Sequence, residues 1–405
     1  MRVAIFVEHY PATYKPYFDT QFSDLVRSGH DVRIHAAGAL SGVPSSKVQG
    51  WALQERTAYY PAALRDLPRS VPALVRHRSD ATLGLRVAFA TTSGVATRRR
   101  IADIARALSI RGGIPDVVLI HGLTAAYSVL PWLRRALPDT PLALYYHGGE
   151  LPTTPGVPDE LARKLFAAVD IVFTNTAFSR GHAITRGCPA DRIQILPVGF
   201  DIADYRPPSP RTYRRGGTLR LLSAGRMSEE KGFEYAIRAV HRLVEEGVRD
   251  LRYELTGDGY YRERLEEYVR ANDLEPYIGF LGTLPMDAVI RAMGECDALV
   301  LPSVQVGNWV ENQACAVQES MLMRAPVIVT RSGGVPQSVP DTMLPFTCAP
   351  GSIDELSEAI RRIHSLDPMA LARLGDSGRS FVEQNYDIRQ LNQSMLEMTT
   401  GVRAT

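Results

Sequence analysis

The sequence predicts an α/β protein made of two doubly wound parallel-sheet domains facing a central cleft. Three observations predict it. Short apolar runs alternate with amphipathic stretches along the whole chain, and the alternation is interrupted once, over residues 202–217. With 405 residues and 45% apolar content, the chain can bury a core in each of two halves.

The N-terminal half, 1–201, opens with VAIFVE, a run too short for a secretory leader before Glu8 and His9, so it reads as a buried first strand. A helical stretch from Phe18 to Gly29 follows, then DVRIHAA, DVVLIHG, PLALYYHG and DIVFTNT, each a short strand of a βαβ series. Residues 202–217, IADYRPPSPRTYRRGG, carry no periodicity and read as an interdomain linker. The second domain, 218–380, restarts with LRLLSAG, a helix from about Lys231, LRYELTG, a further helix, IGFLG, a helix from Pro285, DALVLPS and PVIVT. Helical stretches near Ile353 to His364 and Pro368 to Tyr386 close it, and the tail 381–405 is expected to return as a helix to the first domain.

Bulk properties exclude several function classes. A formal net charge of +2 gives no long-range field for nucleic acid. A spanning helix needs about eighteen uninterrupted apolar residues, and the most apolar candidate, Ala81 to Ala96, contains Arg86. Cys188, Cys296, Cys315 and Cys348 lack the paired spacings of a zinc site or redox couple, which predicts reduced, mostly buried thiols in a cytoplasmic protein. No metal site is expected.

In parallel sheets of this kind, ligands bind beyond the carboxyl ends of the strands. In SAGRMSEEKG, residues 223–232, a strand ends at Gly225, with Arg226 and Lys231 flanking a helix start. Such a segment suits a diphosphate, and equally a solvated turn with capping glutamates. Lysine occurs only at 15, 47, 164 and 231, so a lysine here is not general surface composition. Further on, Glu311 and Glu319 have seven residues between them, directly before a strand and a glycine pair. If the helix starts near Gln313, Glu311 lies in the loop and Glu319 about two turns into the helix. That pattern suits two acids binding different hydroxyls of a nucleotide sugar, with the free amides of Asn312, Gln313, Ala314 and Cys315 toward phosphate oxygens, and equally a helix with a solvent-facing Glu319 and an incidental loop acid.

In this order, GRMSEEKGF, TGDGY, FLGTL, ALVLPS and the Glu-x7-Glu element followed by MLMRAPVIVTRSGGVPQSV resemble the donor-binding domain of family 4 retaining glycosyltransferases, which have the GT-B fold. FVEHYPATYKPYFDTQFSDLVRSGHDVRIHA, PLALYYHGGEL and ILPVGFDIADYRP extend the resemblance to the colanic-acid and exopolysaccharide branch. The resemblance implies that Arg226 and Lys231 neutralise the donor diphosphate, that Glu319 binds the ribose hydroxyls, and that Glu311 lies beside the transferred sugar. It places Gly257 and the stretch Gly282, Thr283, Leu284 at the nucleobase pocket, and His147 facing the donor sugar from the N-terminal domain. His121, at a similar strand end, is read as structural.

The chain departs from the family pattern at Asn312 to Ala314, where small residues are usual, and at Val198, where an amide is usual. Its first loop carries Tyr10, Tyr14, Lys15, Tyr17 and Phe18, from which Tyr10 and Tyr14 are expected to touch the acceptor, or Tyr17 and Phe18 to pack the first helix. The arginine-rich region 65–111 suits anionic lipid or a merely solvated face.

The function expected is metal-independent retaining transfer of a hexose-type sugar from a UDP- or GDP-sugar to a saccharide or small natural-product acceptor, without a cofactor. The chain has no Asp-x-Asp element for a divalent ion. A catalytically silent nucleotide-sugar binder and a GT-B sugar phosphorylase are the alternatives. A nicotinamide oxidoreductase would need a third glycine that TGDGYY lacks.

Overall fold

The computed structural model describes residues 1–11, 16–40, 45–60, 113–147, 157–214 and 217–402. The first domain contains β1 (Arg2–His9), α1 (Pro16–Arg27), β2 (Asp31–Gly38), α2 (Ser46–Gly50) and β3 (Thr57–Tyr59). It continues with β4 (Val117–His121), α3 (Leu123–Ala136), β5 (Leu142–Tyr146), α4 (Asp159–Ala167), β6 (Ile171–Thr174), α5 (Ala177–Thr185) and β7 (Ile193–Ile195). Among the described residues the strands form one parallel sheet in the order β3-β2-β1-β4-β5-β6-β7. Chain order reverses beside β1, where Val3 pairs with Val32 on one side and Val117 on the other.

Side chains of β1 alternate between two buried layers, which is why its apolar run is continuous. Ala4 and Phe6 join Val118, Ile120 and Trp132, whereas Val3, Ile5 and Val7 join Phe22 and Leu25 of α1. Each fully buried Leu, Val or Phe contributes about 1.5–3 kcal/mol to such a layer.

The second domain has β8 (Leu219–Ala224), α6 (Phe233–Glu245), β9 (Leu251–Thr256), α7 (Arg262–Ala271), β10 (Ile278–Gly282), α8 (Met286–Glu295) and β11 (Ala298–Leu301). Then come α9 (Cys315–Leu322), β12 (Val327–Thr330), β13 (Thr347–Cys348), α10 (Ile353–Ser365), α11 (Pro368–Asn385) and α12 (Ile388–Gly401). The strand order is β10-β9-β8-β11-β12-β13, again all parallel, with the reversal between β8 and β11. Both connections that carry the acids and cations singled out in the sequence therefore leave the sheet at its reversal point.

Residues 202–214, although without periodicity, are tied to the second domain. The Arg211 guanidinium donates to the carbonyls of Gly294, Cys296 and Met323, and the Tyr213 hydroxyl donates to the Arg324 carbonyl at 2.6 Å. The chain crosses back beside its first crossing, where Phe200 N bonds to the Tyr386 carbonyl at 2.8 Å and Ile388 N to the Phe200 carbonyl at 3.0 Å. α12 then lies on α1, with Met395 and Leu396 in the first domain's core. The four cysteines are free thiols, and no helix among the described residues is long and apolar enough to cross a membrane.

Asn392 fastens α12. It is buried, and its Nδ2 donates to the Gln21 carbonyl at 3.1 Å and to Asp24 Oδ2 at 2.8 Å. Replacing it by alanine takes the donor from Asp24 Oδ2 and the second bond from the Gln21 carbonyl, so Asn392→Ala should cost about 1–3 kcal/mol. Thermal denaturation checks this; an unchanged midpoint would mean that the Asn392 bonds add nothing to the docking of α12.

Candidate active site

At the carboxyl edge of the second sheet, three strand ends are stitched together by backbone bonds. Gly225 N donates to the Thr256 carbonyl at 3.0 Å, and Gly257 N to the Gly282 carbonyl at 2.8 Å. Gly257 has φ +127°, and a Cβ there would lie 1.9 Å from the Gly225 oxygen, so no other residue fits. Gly225, Gly257 and Gly282 thus make a bare backbone floor, with Thr283 exposed and Leu284 half-buried at its rim.

The segment after Gly225 turns tightly before α6 begins at Phe233, two residues beyond the expected start near Lys231. Arg226 is about half exposed and its Nη2 donates to Glu230 Oε1 at 2.9 Å, while Ser228 Oγ donates to the same oxygen at 2.6 Å. Burial alone would push Glu230 up, but the Ser228 hydroxyl and the Arg226 guanidinium hold its carboxyl below the usual range. Lys231 extends across to the β11 connection. Its Nζ is 2.6 Å from Glu311 Oε2 and lies over the Trp309 ring, 5.3 Å from the centroid. Ser303 Oγ donates to the same Glu311 oxygen at 3.1 Å.

The Glu311 backbone is clamped from the other side. Gly334 N donates to the Glu311 carbonyl at 3.0 Å. Gly333 has φ +52°, and a Cβ there would come within 1.9 Å of that carbonyl oxygen. The glycine pair after β12 is therefore required by the acid it faces.

α9 begins at Cys315, not near Gln313, so Glu319 sits just over one turn into it. The reason is visible in the two residues expected to start the helix. Asn312 and Gln313 bond through their side chains to the first domain. Asn312 Oδ1 accepts from Thr176 Oγ1 at 2.5 Å and its Nδ2 donates to the His147 carbonyl at 2.7 Å. Gln313 exchanges two bonds with Val198, its Nε2 donating at 2.9 Å and its Oε1 accepting at 2.7 Å. Both side chains are therefore occupied at the domain boundary, whereas the expectation for these residues concerned their backbone amides. Ala314 is buried as the N-cap residue, and α9 has no side-chain cap.

Glu319 accepts from the Tyr205 hydroxyl at 3.2 Å. Burial lifts its carboxyl from an ordinary 4.5 to about 6, with the Tyr205 hydroxyl pulling weakly the other way. With Cys315 it lines a cavity of about 490 Å³ whose opposite wall comes from the first domain, including Tyr17, Ser45 and Lys47. Lys47 Nζ lies 2.6 Å from Asp204 Oδ2, so this wall is joined to the crossing segment. Tyr205, Lys47 and Asp204 had no sequence signal, because each acquires its place only through partners distant in the chain.

On the first domain, His147 follows β5. Its Nε2 is 3.2 Å from His121 Nδ1, and both rings stack with Tyr145. His121, read from the sequence as structural, is the buried partner of the candidate histidine. Tyr17 faces His147 with ring centroids 5.5 Å apart, while Phe18 packs into the core. Tyr10 is fully buried, its hydroxyl donating to Asp19 at 3.0 Å, so the expectation of an acceptor contact fails: the ring fills the core beside Phe22. Tyr14 and the basic region 65–111, up to Arg111, lie outside the described residues. Among the described residues no group of three His, Cys, Asp or Glu is placed to hold a metal ion.

Two facing parallel sheets with a lysine, two acids and a histidine gathered at their carboxyl edges define a GT-B sugar-transfer architecture. Residues 14–199 match the family model described as a glycosyl transferase 4-like domain, and residues 210–381 match that of glycosyl transferases group 1. The chain belongs to the family 4 glycosyltransferases of exopolysaccharide type and is a transferase that uses nucleotide-sugar donors. It is 24% identical to the colanic acid biosynthesis glycosyltransferase WcaL of Escherichia coli, so named provisionally, over 98% of this chain and 99% of that one. It is 30% identical to the 2-deoxystreptamine glucosyltransferase of Streptomyces kanamyceticus over 49% of this chain and 48% of that protein. Among solved structures, Anabaena HepE in complex with UDP aligns with a TM-score of 0.71 at 17% identity, covering 99% of both chains.

The Glu319 environment gives a pH test. An acid raised on folding is favoured in its protonated form, so its contribution is full below the ordinary 4.5 and lost as pH rises through about 6. Glu319→Gln removes that loss, and should stabilise the protein by about 1–2 kcal/mol at pH 7.5 with the gain vanishing at pH 4. Denaturation midpoints of both proteins across this range check it, and a difference independent of pH would contradict the assignment.

Proposed function

We propose that this chain is a retaining hexosyltransferase that moves a hexose-type unit from a UDP- or GDP-sugar to a hydroxyl of a saccharide or small natural-product acceptor, without a metal ion or cofactor. The observation that carries the reading is the junction at Glu311 and Asn312. Glu311 holds Lys231 at 2.6 Å while the next residue holds the His147 carbonyl at 2.7 Å, so the ion pair and the backbone of the opposite domain's histidine meet at adjacent residues.

Cleavage of a sugar to phosphate bond leaves negative charge on the diphosphate and positive charge at the anomeric carbon. Lys231, Arg226 and the uncapped N-terminus of α9 are fixed positive groups for the first. In the retaining course, the acceptor oxygen attacks the anomeric carbon on the face the diphosphate leaves, and a phosphate oxygen takes the acceptor's proton. Glu311 serves as a sugar-binding and cation-holding group rather than a nucleophile, since Lys231 and Ser303 both bind one of its oxygens. Glu319 is the ribose-binding acid, and the bare floor at Gly225, Gly257 and Gly282 receives the nucleotide.

The names of relatives support both acceptor classes, since one is named for an exopolysaccharide and another for an aminocyclitol. The discriminating experiment is a panel of nucleotide sugars scored by thermal shift with chelator present. One UDP- or GDP-sugar should stabilise the chain by about 2.7 kcal/mol at one hundred times its dissociation constant. A panel that shifts nothing contradicts the reading. With the donor in hand, Lys231→Ala should lower kcat/KM by about 10² to 10³, the loss typical of one preorganised donor at a developing anion. An unchanged rate would remove Lys231 from the diphosphate.

A further inference from the structure

Asn312 replaces a small residue usual at this point of the family pattern, and both ends of its amide are taken by the opposite domain. It is 8% exposed, with Thr176 Oγ1 2.5 Å from its Oδ1 and the His147 carbonyl 2.7 Å from its Nδ2. Thr176 is itself fixed as the N-cap residue of α5 through a reciprocal pair of bonds with Ser179. His147 is held elsewhere by its ring contacts with His121 and Tyr145. The Asn312 bond is thus the point at which the second domain grips the backbone of the candidate histidine.

Two other side chains cross the same boundary without touching His147. Gln313 bonds to Val198, and Gln337 Oε1 accepts from Ala177 N at 2.8 Å. Val198 lines a small pocket together with His147, whereas Gln337 binds at the start of α5, so Gln337 provides the internal comparison.

We propose that Asn312 is a positioning residue that couples domain contact to the placement of His147, so that the histidine is aligned only when the second domain is docked. The proposal rests on the reading above in which His147 faces the donor sugar. Its physical basis is that a buried amide cannot lose its partners cheaply: separating the domains takes both the carbonyl and the hydroxyl from the Asn312 amide at once. Both are then made or broken together. A displacement of His147 by about 1 Å is enough to cost on the order of 10²-fold in rate.

The test uses the full chain with Asn312→Ala and Gln337→Ala, compared by NMR of the nine histidine side chains and by the rate of donor cleavage. His147 and His121 signals are assigned from His147→Gln and His121→Gln. Asn312→Ala should move both signals, and lower kcat by about tenfold or more while donor KM changes less than about threefold. Gln337→Ala should leave both signals where they are. Asn312→Ala combined with His147→Ala should be no slower than His147→Ala alone, because the asparagine acts through the histidine. Histidine spectra of Asn312→Ala that superimpose on those of the unaltered chain, or rate losses that multiply in the double variant, would overturn the proposal. A chain that cleaves no donor contradicts the transferase reading instead, and the NMR comparison still decides this one.

Discussion

Lys231 and Glu311 meet at 2.6 Å although they leave the sheet from different strands, and much of the second domain's local geometry exists to keep them together. β8 and β11 are neighbours across the reversal of strand order, so their connections emerge side by side. Burying an ion pair costs desolvation that its attraction offsets only with good geometry and further bonds. Here the Ser303 hydroxyl supplies one, the Trp309 ring covers the ammonium, and the glycines after β12 allow the backbone to close on the Glu311 carbonyl. A cation so placed is preorganised: it needs no reorientation when a neighbouring bond breaks.

The second acid lives in a different environment. Glu319 has a phenol for a partner and is lifted to about 6 by burial, whereas Glu311 has a lysine. Two carboxylates of one short segment thereby have different partners, an ammonium for one and a phenol for the other. The interval between them follows from the backbone: one lies in the loop before α9 and one a turn within it, so they point to separate places.

Much of this was legible in the sequence, and the exceptions share a cause. Continuous β-branched runs such as Val327 to Thr330 report strands buried on both faces, and Phe18, Phe22 and Leu25 report the inner face of α1. Lys231 and Glu311 were singled out because each follows a strand end, whereas their pairing was not, because the two strands become neighbours only in the folded sheet. Asn312 and Gln313 misled because their polar side chains suit a helix start, and only the folded chain shows Thr176, His147 and Val198 within their reach. Tyr10 misled in the opposite way: in a loop rich in tyrosines nothing local tells a core ring from an exposed one. Tyr205, Lys47 and Asp204 are joined by contacts of long sequence separation, to which neither periodicity nor composition is sensitive.

The domain boundary and the chemistry are consequently one structure. The dipeptide Glu311 and Asn312 belongs to the cation site through one residue and to the opposite domain through the other. The central claim is that fixed protein charges, with Lys231 foremost, stabilise the leaving diphosphate. Single-turnover donor cleavage measured first with EDTA and then with added manganese tests this most directly. The account predicts the same rate in both; cleavage abolished by EDTA and restored by manganese would contradict it.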